Sequence, residues 1–146
     1  MVGFTDSDWA GDPDDWKSTA GYVFTLGFGP ITWACKKKSA ISLSSVEVEY
    51  RGVIEASKEA LWLRQIPSEF GLQQYHPTTL WCDNQSAIQL CKDPVQHQRS
   101  KHIELHMHFI GKLIHDHVLE VQYCSVGDQV ADNFTKALTK VKFTKL

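Results

Sequence analysis

The alternation of apolar and polar residues in the first third of the chain is typical of β-strands. Glycine and proline in GFGP, residues 27–30, mark a turn between two apolar runs. GDPDDWK, residues 11–17, has the composition of a loop. The pattern predicts three strands, which are Val2–Asp6, Gly21–Leu26 and Ile31–Cys35.

The period changes at Ser44, where apolar residues begin to recur three and four positions apart. This spacing predicts a long amphipathic helix. Its inner face consists of Val46, Tyr50, Val53, Ile54, Ser57 and Leu61. Ser45, with glutamates following closely, indicates the N-terminal cap region, and Pro67 is expected to end or kink the helix.

The rest of the chain mixes both periods. It predicts strands over Thr78–Cys82 and Val118–Cys124, and helices over Asn84–Cys91, His102–His115 and Asp128–Leu138. With no linker or internal repeat, residues 1–146 are interpreted as a single α/β domain with helices packed on a central five-stranded sheet. Trp33, Trp62 and Trp81 lie in apolar runs and are expected in the core.

Composition narrows the class of protein. Hydrophobic residues make up 42% and charged residues 22% of the chain, which is typical of a globular domain. No apolar run approaches the roughly 20 residues that span a bilayer. The first residues lack a signal-peptide pattern, and the four cysteines include no CxxC pair. We therefore expect a reduced, intracellular protein without a membrane partner, in the cytoplasm or the nucleus.

The charge balance counts against nucleic-acid binding, since the net charge is −2 and the pI is near 6.4. Two features weaken this objection. Lys36, Lys37 and Lys38 form a compact basic run. A carboxylate cluster that holds divalent cations also presents a less negative surface.

Two aspartates lie where predicted strands end, which is where α/β folds place their chemistry. Asp6 closes the first strand, and Asp8, two residues further, is its rival. Asp83 follows TTLWC and precedes NQSAI, so it is either a ligand or the N-cap of the next helix.

Two more carboxylates belong to predicted helices. Glu47 shares a solvated face with Arg51, whereas Glu49 shares the opposite flank with small residues that allow close approach. Asp128 is best explained as a helix cap, and Asp132 lies one turn further in.

Five segments resemble the ribonuclease H domain of copia-type LTR retrotransposon polyproteins. In chain order they are TDSDWAGDPDDWKSTAGYVFTLG, SLSSVEVEYRGVIEASKEALWL, LWCDNQSAI, KHIELHMHFI and DQVADNFTKAL. The resemblance covers almost the whole chain, with compatible spacing. It implies a ribonuclease H-like fold whose five-stranded mixed sheet has its first three strands antiparallel.

The resemblance also implies an activity, namely cleavage of the RNA strand of RNA–DNA hybrids that leaves a 5′-phosphate and a 3′-hydroxyl. The catalytic and metal-binding residues would be Asp6, Glu49, Asp83 and Asp132, holding two Mg²⁺ ions that Mn²⁺ can replace. Lys36, Lys37, Lys38 and Trp9 would contact the hybrid, and a reverse transcriptase domain would be the partner within a polyprotein. The loop SVGDQVA lacks the histidine that many cellular ribonucleases H carry before the last aspartate.

Three alternatives remain at this stage. The chain would be a catalytically silent binding or structural module, or a DNA nuclease on the same fold. His102 and His106 are spaced like two zinc ligands on a helix, although no further ligand completes a site and a histidine-rich helix face explains them better.

Overall fold

A five-stranded mixed sheet forms the centre of the molecule. The computed structural model describes residues 1–39, 41–42, 44–93 and 101–145, and for residues 101–104 the backbone alone. The strands are β1 (Val2–Asp8), β2 (Thr19–Leu26), β3 (Gly29–Lys37), β4 (Thr78–Cys82) and β5 (Leu119–Tyr123). Their order is β3-β2-β1-β4-β5, with β1, β2 and β3 antiparallel and β1, β4 and β5 parallel. This confirms the predicted α/β class and sheet.

Four α-helices accompany the sheet in the described residues. They are α1 (Ser45–Glu69), α2 (Gln85–Lys92), α3 (Lys101–His115) and α4 (Lys140–Lys145). The α1 cap is Ser44, one residue before the predicted Ser45, and its hydroxyl accepts a hydrogen bond from the Glu47 N–H at 3.2 Å. Pro67 lies inside the last turn and the helix continues to Glu69, so Pro67 does not end it.

The core lies between the sheet and helices α1, α2 and α3. Its centre includes Phe24, Val53, Leu80, Ile110 and Val121. All four cysteines are free thiols, and three of them, Cys82, Cys91 and Cys124, are buried. Within the described residues, no helix has both the length and the hydropathy needed to cross a bilayer.

The prediction that Trp33 and Trp62 belong to the core is wrong, since 59% and 55% of their surfaces are exposed. Trp33 lies on the edge strand β3. The neighbouring Thr32 donates a hydrogen bond to Glu59 of α1, so alternation points Trp33 to the opposite face of the sheet. Trp81 is half-buried.

The predicted last helix, Asp128–Leu138, is also wrong. Two short 3₁₀ segments, Val126–Asp128 and Val130–Phe134, occupy this stretch. The buried Gln129 amide donates to the Thr5 carbonyl at 3.0 Å and accepts from the Ala131 N–H at 3.3 Å. Because these side-chain bonds fix the backbone locally, they compete with a continuous helix. They also hold the segment against β1.

Candidate metal centre

Parallel pairing of β1 and β4 brings two of the predicted site residues to the same edge of the sheet. Asp6 lies near the C-terminal end of β1, and Asp83 directly follows β4. The first turns of α1 add Glu49, and the 3₁₀ segment Val130–Phe134 adds Asp132. All four predicted carboxylates therefore come from different elements that meet at the carboxyl end of the central strands.

The carboxylates form two overlapping groups within the described part of the chain. Oxygen atoms of Asp6, Asp83 and Asp132 lie within 4.8 Å of one another. A Glu49 oxygen, the Cys82 Sγ and an Asp83 oxygen form a second group with the same limit. Asp83 belongs to both groups, so the four carboxylates make one continuous cluster.

The structure separates the two pairs of neighbouring acids that the sequence offered as ligands, Asp6 with Asp8 and Glu49 with Glu47. Asp6 is 1% exposed, whereas the Asp8 carboxylate turns toward the following loop and lies against Gly11. Glu49 is 6% exposed, whereas Glu47 pairs with Arg51 at 2.9 Å on the outer face of α1. The buried acid of each pair is the one that belongs to the cluster.

Neither Asp83 nor Asp128 caps a helix, although the sequence allowed this for both. The α2 cap is Asn84, whose side-chain oxygen accepts from the Ala87 N–H at 3.0 Å, so Asp83 is not needed as a cap. Asp128, which the sequence favoured as a cap, instead accepts a hydrogen bond from Ser125 at 2.7 Å and pairs with Lys145 at 2.9 Å. Gln129 takes the capping position of the Val130–Phe134 segment.

Crowding and burial make Asp6, Glu49 and Asp83 costly to ionise. Burial, with the charges of Asp132 and Asp83, raises the pKa of Asp6 to about 6, against the opposing effects of Thr135 and Lys136. Burial, with the charges of Asp6 and Asp83, raises the pKa of Glu49 to about 9. Burial also raises the pKa of Asp83. A divalent cation would relieve this cost, because it stabilises every ionised carboxylate around it.

Three residues that the sequence analysis did not single out complete the surroundings of the cluster. The Thr135 hydroxyl donates a hydrogen bond to Asp6. Lys136 Nζ lies 2.9 Å from an Asp132 oxygen and 3.4 Å from Asp6, and Lys142 of α4 also contacts Asp132. Asp132 and Lys136 are four residues apart, a spacing at which pairing was readable from the sequence. Lys142 gave no such signal.

Lys136 has an electrostatic character set by the cluster. Burial alone would lower the pKa of Lys136, but its hydrogen bond to Asp132 and the charges of Asp6 and Asp132 outweigh burial and raise the pKa. Lys136 is therefore a permanent cation that offsets part of the charge of the two aspartates.

The residues of the cluster fit a divalent cation. The Glu49 Oε2 is buried and has no hydrogen-bond partner, which is an expensive state unless a ligand satisfies it. Hard cations such as Mg²⁺ and Mn²⁺ prefer carboxylate oxygens, which four residues supply here.

Two of the lysines predicted to contact substrate pair with carboxylates outside this cluster. Lys37 pairs with Asp12 and with Asp15, the latter at 3.1 Å, and Lys38 pairs with Glu55 at 2.8 Å. Much of the basic run is thus already engaged with carboxylates. Lys36 lies where β2, β3 and α1 adjoin.

Trp9 and the histidines were the other candidates for substrate or metal binding. Trp9 is 49% exposed, and its indole N–H donates to the Ser42 carbonyl at 3.0 Å, which fixes the ring beside the loop that follows β3. Its contact with substrate stays a prediction. The side chain of His102 lies outside the described residues, and the metal-capable groups found among those described contain no histidine.

Comparison with known sequences gives matches over nearly the whole chain. It is 45% identical over 140 residues, 96% of its length, to the retrovirus-related Pol polyprotein from transposon RE2 of Arabidopsis thaliana. The corresponding polyprotein from transposon TNT 1-94 of Nicotiana tabacum is 40% identical over 143 residues. The chain spans about a tenth of the length of these relatives. No family model matches it.

Comparison with solved structures gives the fold. LC11-RNase H1 in complex with RNA/DNA hybrid superposes with a TM-score of 0.64 at 12% identity, over 92% of each chain. The protease-reverse transcriptase of prototype foamy virus matches 92% of this chain with 20% of its own, at a TM-score of 0.60 and 16% identity. At these identities the matches show a shared architecture.

Proposed function

The chain is a homologue of one segment of the retrovirus-related Pol polyproteins and has the ribonuclease H fold, and from this premise we propose that it hydrolyses the RNA strand of RNA–DNA hybrids. The observation that carries the proposal is the convergence of Asp6, Glu49, Asp83 and Asp132 at one edge of the sheet. A cluster of four carboxylates, three of them buried, has no stabilising role by itself, because like charges in a poorly solvated site repel one another.

The proposed chemistry divides between the metal and the protein. Asp6, Glu49, Asp83 and Asp132 would hold Mg²⁺ or Mn²⁺, with Asp83 shared between the two groups. Two such ions supply an activated water and stabilise the leaving oxygen of the phosphodiester. Thr135 orients the Asp6 carboxylate, and the Lys136 ammonium limits repulsion between Asp6 and Asp132.

The substrate and partner follow from the same premise. One structural neighbour is described with a bound RNA/DNA hybrid, and another is a protease-reverse transcriptase. We therefore expect a hybrid as substrate and a reverse transcriptase domain as partner within a polyprotein. Phosphate contacts from Lys36 and ring contacts from Trp9 would bind the hybrid without sequence preference.

Replacement of one shared ligand tests the site. Asp83→Asn keeps the shape of the side chain but removes its charge. Mg²⁺-dependent cleavage of a labelled hybrid should therefore fall by more than about 100-fold, since mutation of a residue that only hydrogen-bonds to a metal ligand already costs about 10- to 100-fold. Asp116→Asn is the matched control. Asp116 follows α3 at the opposite end of the sheet, and 45% of its side chain is exposed. Undiminished cleavage by the folded Asp83→Asn protein would contradict the assignment.

A catalytically silent module is the second candidate function, and one observation favours it. Lys136 and Lys142 already place ammonium groups on Asp132, so the cluster has partial charge compensation without metal. Titration with Mg²⁺ and Mn²⁺ separates the two functions. A silent module would bind a hybrid and leave its RNA strand intact at every metal concentration.

A further inference from the structure

Cys82 places a sulfur atom beside the carboxylate cluster, in a position that the proposed two-metal chemistry does not use. It is the last residue of β4 and is fully buried on the side of the sheet that faces α1. Its Sγ makes one weak contact, to the Asn84 carbonyl at 4.0 Å. The thiol is therefore close to two carboxylates without a strong partner of its own.

Glu49 supplies an independent observation at the same place. Glu49 is only 6% exposed, and its Oε2 has no hydrogen-bond partner. A Glu49 oxygen, an Asp83 oxygen and the Cys82 Sγ lie within 4.8 Å of one another. A buried carboxylate with one unsatisfied oxygen therefore contributes an oxygen atom to the same small group as the thiol and the Asp83 carboxylate.

This group of ligand atoms includes a sulfur, whereas the neighbouring group of Asp6, Asp83 and Asp132 offers oxygen alone. Thiolate sulfur selects softer cations, whereas Mg²⁺ is held by oxygen. Tetrahedral Zn²⁺ with one sulfur and two oxygen ligands requires donor atoms about 3.6 Å apart, given bond lengths of about 2.3 and 2.1 Å. Since the three donor atoms lie within 4.8 Å of one another, reaching that distance takes a combined side-chain movement of at most about 1 Å.

We propose that Glu49, Cys82 and Asp83 form a binding site for a thiophilic divalent cation of the Zn²⁺ and Cd²⁺ class. On binding, the Cys82 thiol releases its proton to the buffer as the sulfur–metal bond forms, and no electron transfer occurs. Asp83 and Glu49 contribute one oxygen each, and water completes the coordination. Because the site takes both carboxylates from the proposed nuclease centre, a bound thiophilic ion inhibits Mg²⁺-dependent cleavage.

Cd²⁺ titration of the chelator-treated protein tests the binding site directly. Cd²⁺ bound to a thiolate has an ultraviolet charge-transfer band, and the wild-type protein should develop this band to saturation at one ion per chain. Cys82→Ser should abolish it. Glu49→Gln keeps the thiol, so it should retain the band but weaken Cd²⁺ binding by at least about tenfold, the scale on which even outer partners of a ligand change affinity.

Two other cysteines provide controls. Cys35 is exposed on β3, and Cys91 is a buried thiol of α2. Cys35→Ser and Cys91→Ser should both retain the band. Absence of a saturable band in the wild-type protein, or its persistence in a folded Cys82→Ser protein, would overturn the proposal.

The inhibitory consequence rests on the proposed nuclease function, whereas the binding does not. In a Mg²⁺-dependent cleavage assay, the Cd²⁺ concentration that halves each protein's own rate should be at least about tenfold higher for Cys82→Ser than for wild type. A Cd²⁺ band without any hybrid cleavage would support the binding site and refute the nuclease. Cleavage that Cd²⁺ inhibits equally in both proteins would refute the inhibitory role of Cys82.

Discussion

Glu49 is a carboxylic acid in an environment that favours its protonated form. It lies in α1, and one of its carboxylate oxygens is buried without a hydrogen-bond partner. Burial raises its pKa to about 9 from an ordinary value of 4.5. A proton or a metal ion must therefore neutralise it at physiological pH. The residue makes the stability of the metal-free protein depend on pH.

The sign of this dependence follows from proton binding. The folded protein keeps the Glu49 proton up to about pH 9, whereas the unfolded chain releases it near pH 4.5. Since the folded state binds more protons between these values, the stability that Glu49 contributes is fully present below pH 4.5 and is lost as pH rises toward 9. Asp6, with its pKa raised to about 6, acts in the same direction over the lower part of this range.

We expect the Tm of the metal-free protein to fall between about pH 5.5 and 9 by at least about 3 °C, the shift that about 1 kcal/mol produces in a domain of this size. Glu49→Gln should flatten the slope, and saturating Mg²⁺ should also flatten it, because the ion favours the ionised form. Glu47→Gln, on the outer face of the same helix, should keep the wild-type slope. A Tm that rises over this range in the metal-free wild type would contradict the expected titration.

Prediction from sequence succeeded where a residue's position on a regular element decides its environment. The helical wheel separated Glu49 from Glu47 without knowledge of any contact, because one flank carried small residues and the other carried charges. It failed for Thr135 and Lys142, which meet Asp6 and Asp132 after two 3₁₀ segments that stand in place of the predicted helix. The spacing of that stretch predicted a helix, so these contacts could not be deduced from it, although the four-residue spacing of Asp132 and Lys136 indicated their pairing.

At the scale of elements, the close packing of α1 on β1 sets the position of Glu49. Gly52 lies in the same helix and faces β1, and a Cβ there would come within 2.8 Å of Ser7 Oγ and 3.2 Å of Thr5 Oγ1. Ser7 is not free to move away, since its hydroxyl donates to the Val48 carbonyl of α1 at 3.2 Å. The small-residue flank that the sequence indicated is therefore a contact surface between helix and strand.

Two glycine substitutions should have opposite effects on stability. Gly52→Ala should lower the free energy of unfolding by about 1–3 kcal/mol, because overpacking outweighs the better helix propensity of alanine. In Gly111→Ala the new Cβ meets nothing within 4 Å, so stability should rise by about 0.5–1 kcal/mol. Urea unfolding measures both. A Gly52→Ala protein as stable as Gly111→Ala would show that the helix and strand are not packed this closely.

Element prediction was most accurate where the pattern was strongest. The β4 strand runs from Thr78 to Cys82, as the buried run TTLWC predicted. The segment after β5 was wrongly predicted as a helix, because Val130, Ala131 and Phe134 have helical spacing. The hydrogen bond from the Gln129 side chain to the Thr5 carbonyl of β1 overrides that local preference. These two residues are 124 positions apart in the sequence, so local sequence does not reveal their contact.

At the scale of the whole molecule, the near-neutral net charge reflects acids and lysines that pair locally. Aspartates of the two 3₁₀ segments pair with lysines from the last residues of the chain, with Lys136 and Lys142 on Asp132 and Lys145 on Asp128. Lys136 also pairs with Asp6 of β1. On the other side, Lys37 and Lys38 pair with acids of the first loop and α1. The pI near 6.4 therefore says little about the local field at the cluster.

One assay tests most directly whether this cluster acts on RNA–DNA hybrids. The wild-type protein is incubated with Mg²⁺ or Mn²⁺ and four labelled substrates in parallel, namely an RNA–DNA hybrid, duplex DNA, duplex RNA and single-stranded RNA. We expect cleavage of the RNA strand of the hybrid alone, lost when a chelator removes the metal, with products that carry 5′-phosphate ends. Intact hybrid RNA in the presence of folded protein and metal, or cleavage of duplex DNA in preference to the hybrid, would contradict the account.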